Sequence, residues 1–130
     1  MKYFIYCMKN HSFAGRAGLS EYWNFWLFSF IFSFFLSVTS FITLLFPLTT
    51  TNNGLGIIIL GFILIYLIFI LINSIANIAV TVRRLHDQNK SGAWWFISLV
   101  PIIGSFILFI LMLMPGTNGP NQFGDYPNQF

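Results

Sequence analysis

Three long apolar runs, almost free of charge, dominate the pattern of this chain. They cover residues 24–46, 55–82 and 93–114, with short polar stretches between them. Each exceeds the ~20 apolar residues that cross a hydrocarbon core as a helix. The pattern predicts an all-α membrane protein with three transmembrane helices, forming one membrane domain over residues 1–130. A shorter apolar run is flanked by Lys2 and Lys9 within the polar region 1–21. Its Tyr3, Phe4, Ile5 and Tyr6 predict a short N-terminal interfacial segment. Residues 115–130 form an Asn/Gln/Gly/Pro-rich tail with no helical period.

Local signals refine these boundaries. Ser20 is placed to cap the first helix, with Glu21 in its first turn, where a negative charge suits the helix dipole. Tyr22, Trp23 and Trp26 predict an aromatic belt at headgroup level. Pro47 ends that helix, and Thr49–Gly54 reads as a polar turn. Ser91 is placed to cap the third helix, and Pro101 with Gly104 predicts a kink within it or a split of the stretch there into a re-entrant pair. Phe123 and Tyr126 are the tail residues expected to pin it to the membrane surface.

Within the apolar runs the polar residues fall into stripes. Ser29, Ser33, Ser37 and Ser40 share one face of the first helix, within about 80° of one another. Asn73, Asn77, Thr81 and Arg84 share a face of the second. An amide in hydrocarbon needs a hydrogen-bond partner, so this stripe should face the other helices. The serine stripe is its natural partner, because small side chains admit a close neighbour. The same polar interior would suit a solute path only in an oligomer, since three helices are too thin to enclose water.

Charge adds orientation. Apolar residues make up 57% of the chain and charged residues 7%, against ~25% charged in soluble domains. Lys2, Lys9 and Arg16 precede the first span, and Arg83, Arg84 and Lys90 follow the second. The loop Pro47–Gly54 carries no charge, and the tail carries only Asp125. With three spans, the positive-inside bias predicts a cytoplasmic N-terminus and an external C-terminus. No removable targeting segment is expected.

Arg83-Arg84-Leu85-His86-Asp87 is the densest polar cluster. Three readings compete for it: arginines that fix topology and touch anionic lipid, an ion-pair network, and a site for phosphate or another anion. In the network, Asp87 and Glu21 would accept from Arg83, Arg84 and Arg16. A metal site is not expected, because His11, His86, Asp87, Glu21 and Cys7 show no ligand spacing. No catalytic residue is assigned: adjacent His86 and Asp87 point apart on a helix, and Ser91 does not complete a triad. The basic residues are too few for nucleic acid, and no cofactor is implied. The lone Cys7 reads as a small interfacial hydrophobe.

Six blocks in order carry a family resemblance: Phe13-Ala14-Gly15-Arg16, Ser20-Glu21-Tyr22-Trp23, Arg83-Arg84-Leu85-His86-Asp87, Ser91-Gly92-Ala93-Trp94-Trp95, Pro101-Ile102-Ile103-Gly104, and Pro115-Gly116-Thr117-Asn118-Gly119-Pro120-Asn121-Gln122-Phe123-Gly124. They resemble the small bacterial inner-membrane family called domain of unknown function family 805. Ala93 beside the tryptophans departs from its pattern. So does Gln122, where the family often has a basic residue. The resemblance implies a multi-pass protein of the bacterial inner membrane and no defined activity. The expectation is a non-enzymatic structural, adaptor or interaction role, with membrane lipids and a second copy or another membrane protein as partners. The alternative is an oligomeric transporter or channel component.

Overall fold

The computed structural model describes residues 2–9, 12–45 and 53–127. Helix α1 (Lys2–Lys9) leads through an irregular segment into α2 (Leu19–Leu45). Helix α3 (Asn53–Asp87) follows, then a 3-10 helix (Gly92–Leu99) and α4 (Ile103–Leu113). The fold is all-helical, with no strand among the described residues. Helices α2 and α3 are long and apolar enough to cross a membrane, and α4 is a shorter apolar helix. The protein is thus a helical membrane protein. Of the turn expected at Thr49–Gly54, residues 49–52 lie outside the described residues, and Asn53 and Gly54 already belong to α3.

Length decides where α3 ends. Its 35 residues rise ~52 Å, well beyond the ~30 Å hydrocarbon core. The surplus carries Arg83–Asp87 to one end of the bundle. Helix α2 begins at Leu19, one residue ahead of Ser20, so Ser20 sits inside the first turn and does not cap it. The Gly18 carbonyl accepts from the Tyr22 N–H at 3.1 Å there.

Helix α1 does more than rest at an interface. Phe4 stacks on Phe25 of α2 with ring centres 5.7 Å apart, and Cys7 is buried, while Ile5 and Tyr6 stay exposed. The core lies at this end, where Cys7, Ala17, Phe25, Val80, Leu85 and Met112 pack together.

The third apolar stretch differs most from expectation. It is not one kinked helix over 93–114 but two short arms joined by a sharp turn. Ser91 does cap the first arm, accepting from the Ala93 N–H at 3.3 Å. The reversal is a γ-turn centred on Ile102, at φ 63° and ψ −65°. The Ile103 N–H donates across it to the Pro101 carbonyl at 2.7 Å. Gly104 lets the arms close, since a Cβ there would lie 1.7 Å from the Ile97 carbonyl oxygen. The arms match in length. Eight residues of 3-10 helix and eleven of α-helix each rise ~16 Å, about half a hydrocarbon core. Both open ends return to the end of α3: Gly92 packs on Val82, and Gln88 donates to the Leu111 carbonyl.

This hairpin changes the position of the tail. An external tail, opposite the N-terminal segment, was expected from three full crossings. Residues 115–127 instead pack on the N-terminal segment and the end of α3. The Thr117 N–H donates to the Asp87 carbonyl at 2.8 Å. Phe123 stacks on His86 at 4.0 Å, and Tyr126 covers Arg16 at 5.6 Å. Hydropathy could not reveal this, because an apolar hairpin and an apolar span have the same composition.

Candidate functional site: an ionic knot at the basic end

Asp87 is the centre of the site. As the last residue of α3 it projects where α3, the N-terminal segment and the tail meet. Its Oδ1 accepts from Arg16 Nε at 3.1 Å and Nη2 at 2.9 Å. Its Oδ2 accepts from Arg84 Nη1, one helical turn back. Gly116 passes so close that a Cβ would lie 2.0 Å from Asp87 Oδ2. Only glycine admits this approach without displacement.

Arg16 spreads its remaining donors over the tail. Nη1 donates to the Gly119 carbonyl at 2.6 Å, and Nη2 to the Thr117 carbonyl at 2.7 Å. The tail is shaped to receive them. Gly119 and Gly124 hold positive φ values of 81° and 130°. Asn121 and Gly124 exchange backbone hydrogen bonds at 3.0 Å each. The Asn121 amide then donates to the His86 carbonyl at 2.9 Å. His86 faces the Gly15 carbonyl through Nδ1 at 3.1 Å. A carbonyl only accepts, so that contact is a hydrogen bond when Nδ1 carries the proton.

A second ion pair lies beside the first. Arg83 Nη1 meets Glu21 Oε1 at 3.0 Å, and its guanidinium sits 5.7 Å from the Tyr6 ring centre. Cys7 bridges the pair, donating to Glu21 at 3.5 Å and accepting from Arg83 at 3.4 Å. Burial first, then the Glu21 charge, push its thiol up from 9.0 to about 12. Cys7 is therefore a protonated donor, not a nucleophile.

Arg16, Glu21, Arg83, Arg84 and Asp87 are thus all buried, in two adjacent groups: Arg16 and Arg84 on Asp87, and Arg83 on Glu21. His86 is half-buried beside them and bonded to Gly15. The intramembrane polar residues separate instead. Ser29, buried, donates to Asn73 Oδ1 at 3.0 Å and ties α2 to α3. Thr81 donates to the Asn77 carbonyl of its own helix at 2.7 Å. Ser37 does the same to Phe34 at 2.8 Å and is exposed. Ser40 is half-buried. Ser33, Asn73 and Asn77 line a lateral groove of about 190 Å³ with Trp26.

Sequence reasoning missed the tail's contribution and the Cys7 bridge. The missed signal is Pro115–Gly124, a run of turn residues whose carbonyls and glycines suit an arginine. A cavity of about 310 Å³ adjoins the knot, lined by Ser20, Glu21, Arg84, Asp87, Asn118 and Tyr126 among others. No group of three or more His, Cys, Asp or Glu residues suited to a metal ion occurs among the described residues.

The fold and site define a small helical membrane protein whose termini are knotted together at one basic end. More particularly, the chain belongs to the family described as "Protein of unknown function (DUF805)", whose model matches residues 11–125. It is 32% identical to inner membrane protein YhaI of Escherichia coli (strain K12), over 98% of this chain and 96% of that one. It is 34% identical to inner membrane protein YhaH of the same organism, over 98% and 97% respectively. No solved structure matches it.

Proposed function

We propose that this is a non-enzymatic scaffold of the bacterial inner membrane, acting through the rigid surface at its basic end. Its partners are membrane lipids and a second copy or another membrane protein. In this reading α2 and α3 cross the bilayer, and residues 92–114 enter and leave by the same face. The N-terminal segment, the 88–91 turn and the tail then share the cytoplasmic side, which collects all six Lys and Arg residues. The observation that carries the reading is Asp87, which joins α3, the N-terminal segment and the tail through Arg84, Arg16 and Thr117. Arg16, Arg83 and Arg84 all pair with carboxylates there, and the only thiol is held protonated.

Reporter fusions after Phe130 test the topology: a cytoplasmic signal is expected, and an external one overturns it. The scaffold role is tested with Asp87→Asn. Loss of detergent stability together with cellular abundance supports fastening. Unchanged stability with loss of the protein's cellular effect makes Asp87 part of a working site. The groove at Asn73 and Asn77 favours the alternative, a solute path completed by further copies. Proteoliposomes of the full chain that leak ions faster than empty vesicles would establish it.

A further inference from the structure

The knot does not balance its own charge. Among the described residues, the acidic groups that Arg16, Arg83 and Arg84 meet are Glu21 and Asp87, all five buried. Cys7 adds no negative charge, because it keeps its proton. Asp125, the remaining acidic residue, is exposed on the tail. One positive charge is left in a water-poor place, where an uncompensated ion is costly.

Arg84 is where the excess falls. It is 0% exposed, and among the described residues its Nε, like that of Arg83, has no hydrogen-bond partner. It shares Asp87 with Arg16, so it has half a carboxylate to itself. Arg84 also lines the 310 Å³ cavity. Gly18–Glu21, the entry and first turn of α2, also line it. The leading N–H groups of a helix have no intrahelical acceptor and carry its positive dipole end. Ser20 and Asn118 add neutral donors. Glu21 and Asp87 face the cavity as well, but Arg83 holds the first, and Arg16 and Arg84 hold the second. The cavity is far larger than a monatomic ion needs, at the lower end of the about 300–1,000 Å³ of small-molecule sites. It lies at the end of α2 that bears Trp23 and Trp26, aromatic residues expected at the headgroup level; Tyr22 is buried in the core.

We infer that this cavity binds a phosphate-bearing monoanion, paired with Arg84 and hydrogen-bonded by the first turn of α2, Ser20 and Asn118. A phospholipid headgroup and a soluble phosphate share that chemistry. Native mass spectrometry and melting curves of the full chain in detergent separate them. The probes are phosphatidylglycerol, phosphatidylcholine with the same acyl chains, and inorganic phosphate.

The expected result is at least tenfold greater retention of phosphatidylglycerol than of phosphatidylcholine, lost in Ser20→Asp/Asn118→Asp. That variant adds carboxylates to the cavity wall and keeps the knot, and an acidic residue in a first helical turn supports the helix. Asn118→Asp alone, at an exposed position, is the second variant, and weakened retention is expected there too. A melting shift with inorganic phosphate and none with phosphatidylglycerol supports the same site with a soluble ligand. Equal retention of the two lipids with no phosphate shift overturns the inference. So does selective retention undiminished in both variants.

Discussion

The two ends of the α2–α3 pair are built on different principles. At the basic end Phe25, Ala76, Val80 and Leu85 are fully buried, and side chains from five segments interlock. Toward the other end Phe35, Phe41, Ile57 and Ile65 are all exposed. Bilayer hydrocarbon covers such residues as well as protein would, so burying them against each other gains little. The basic end leaves the hydrocarbon, and there both the hydrophobic effect and ion pairing can act. Specific stability is therefore concentrated at the membrane boundary. The apolar halves supply insertion.

The comparison is broken most severely at Asp87. Asp87→Asn leaves Arg16 and Arg84 without their shared carboxylate, at a cost of about 3–5 kcal/mol for a buried pair. Melting in detergent should fall sharply, whereas Asp125→Asn on the exposed tail should change it little. Adding Arg16→Gln to Asp87→Asn should cost less than the sum of the two, because they share one interaction.

Next is the contact between the helices. Ser29→Ile removes the bond to Asn73 and overfills a buried site, at about 1–3 kcal/mol. Phe35→Ile, on a lipid-facing position, should be nearly silent in the same assay. Equal effects would erase the distinction between the ends.

A smaller change, of opposite sign, is expected at the hairpin tip. Ile102 is a β-branched residue at positive φ, 86% exposed. Such strain costs on the order of 1–3 kcal/mol. Ile102→Gly should relieve part of it and raise the melting temperature, partly offset by added freedom in the unfolded chain.

The smallest effect is that of alkali on Cys7. Its thiol is raised from 9.0 to about 12 by burial and Glu21. A raised folded value means that the unfolded chain gives up its proton first. The thiol's contribution is then complete below pH 9.0 and is lost as the pH climbs toward about 12. Cys7→Ala should lose less stability than the parent over that range, and the parent should resist alkylation at pH 9.0 while folded.

How much of this was legible follows from which physics each residue obeys. The long runs were plain because the bilayer filters for length and apolarity alone. The basic end was plain because charge is excluded from hydrocarbon, so Arg16, Glu21, Arg83, Arg84 and Asp87 had to gather at one depth. Which carboxylate takes which arginine was argued from charge and depth alone, and the contacts themselves needed coordinates. Residues 92–114 could be read as one kinked helix or a re-entrant pair because hydropathy ignores direction; only Pro101 and Gly104 marked the break. The tail was misread because its contacts are backbone carbonyls meeting Arg16, and a carbonyl leaves no trace in residue type. Ser37 shows the limit of stripes: periodicity gave its face, but an exposed serine can satisfy itself on the Phe34 carbonyl.

The hairpin also bears on how the chain enters the membrane. Moving a charged side chain through hydrocarbon is the expensive step of insertion, at about 2.5–3.5 kcal/mol on insertion scales. In the topology proposed above, with residues 92–114 entering and leaving by one face, the polar stretch that has to be translocated is residues 47–54. Pro47–Gly54 holds no charged residue. In that topology every charged side chain stays on the cytoplasmic face, and insertion moves none of them through the hydrocarbon.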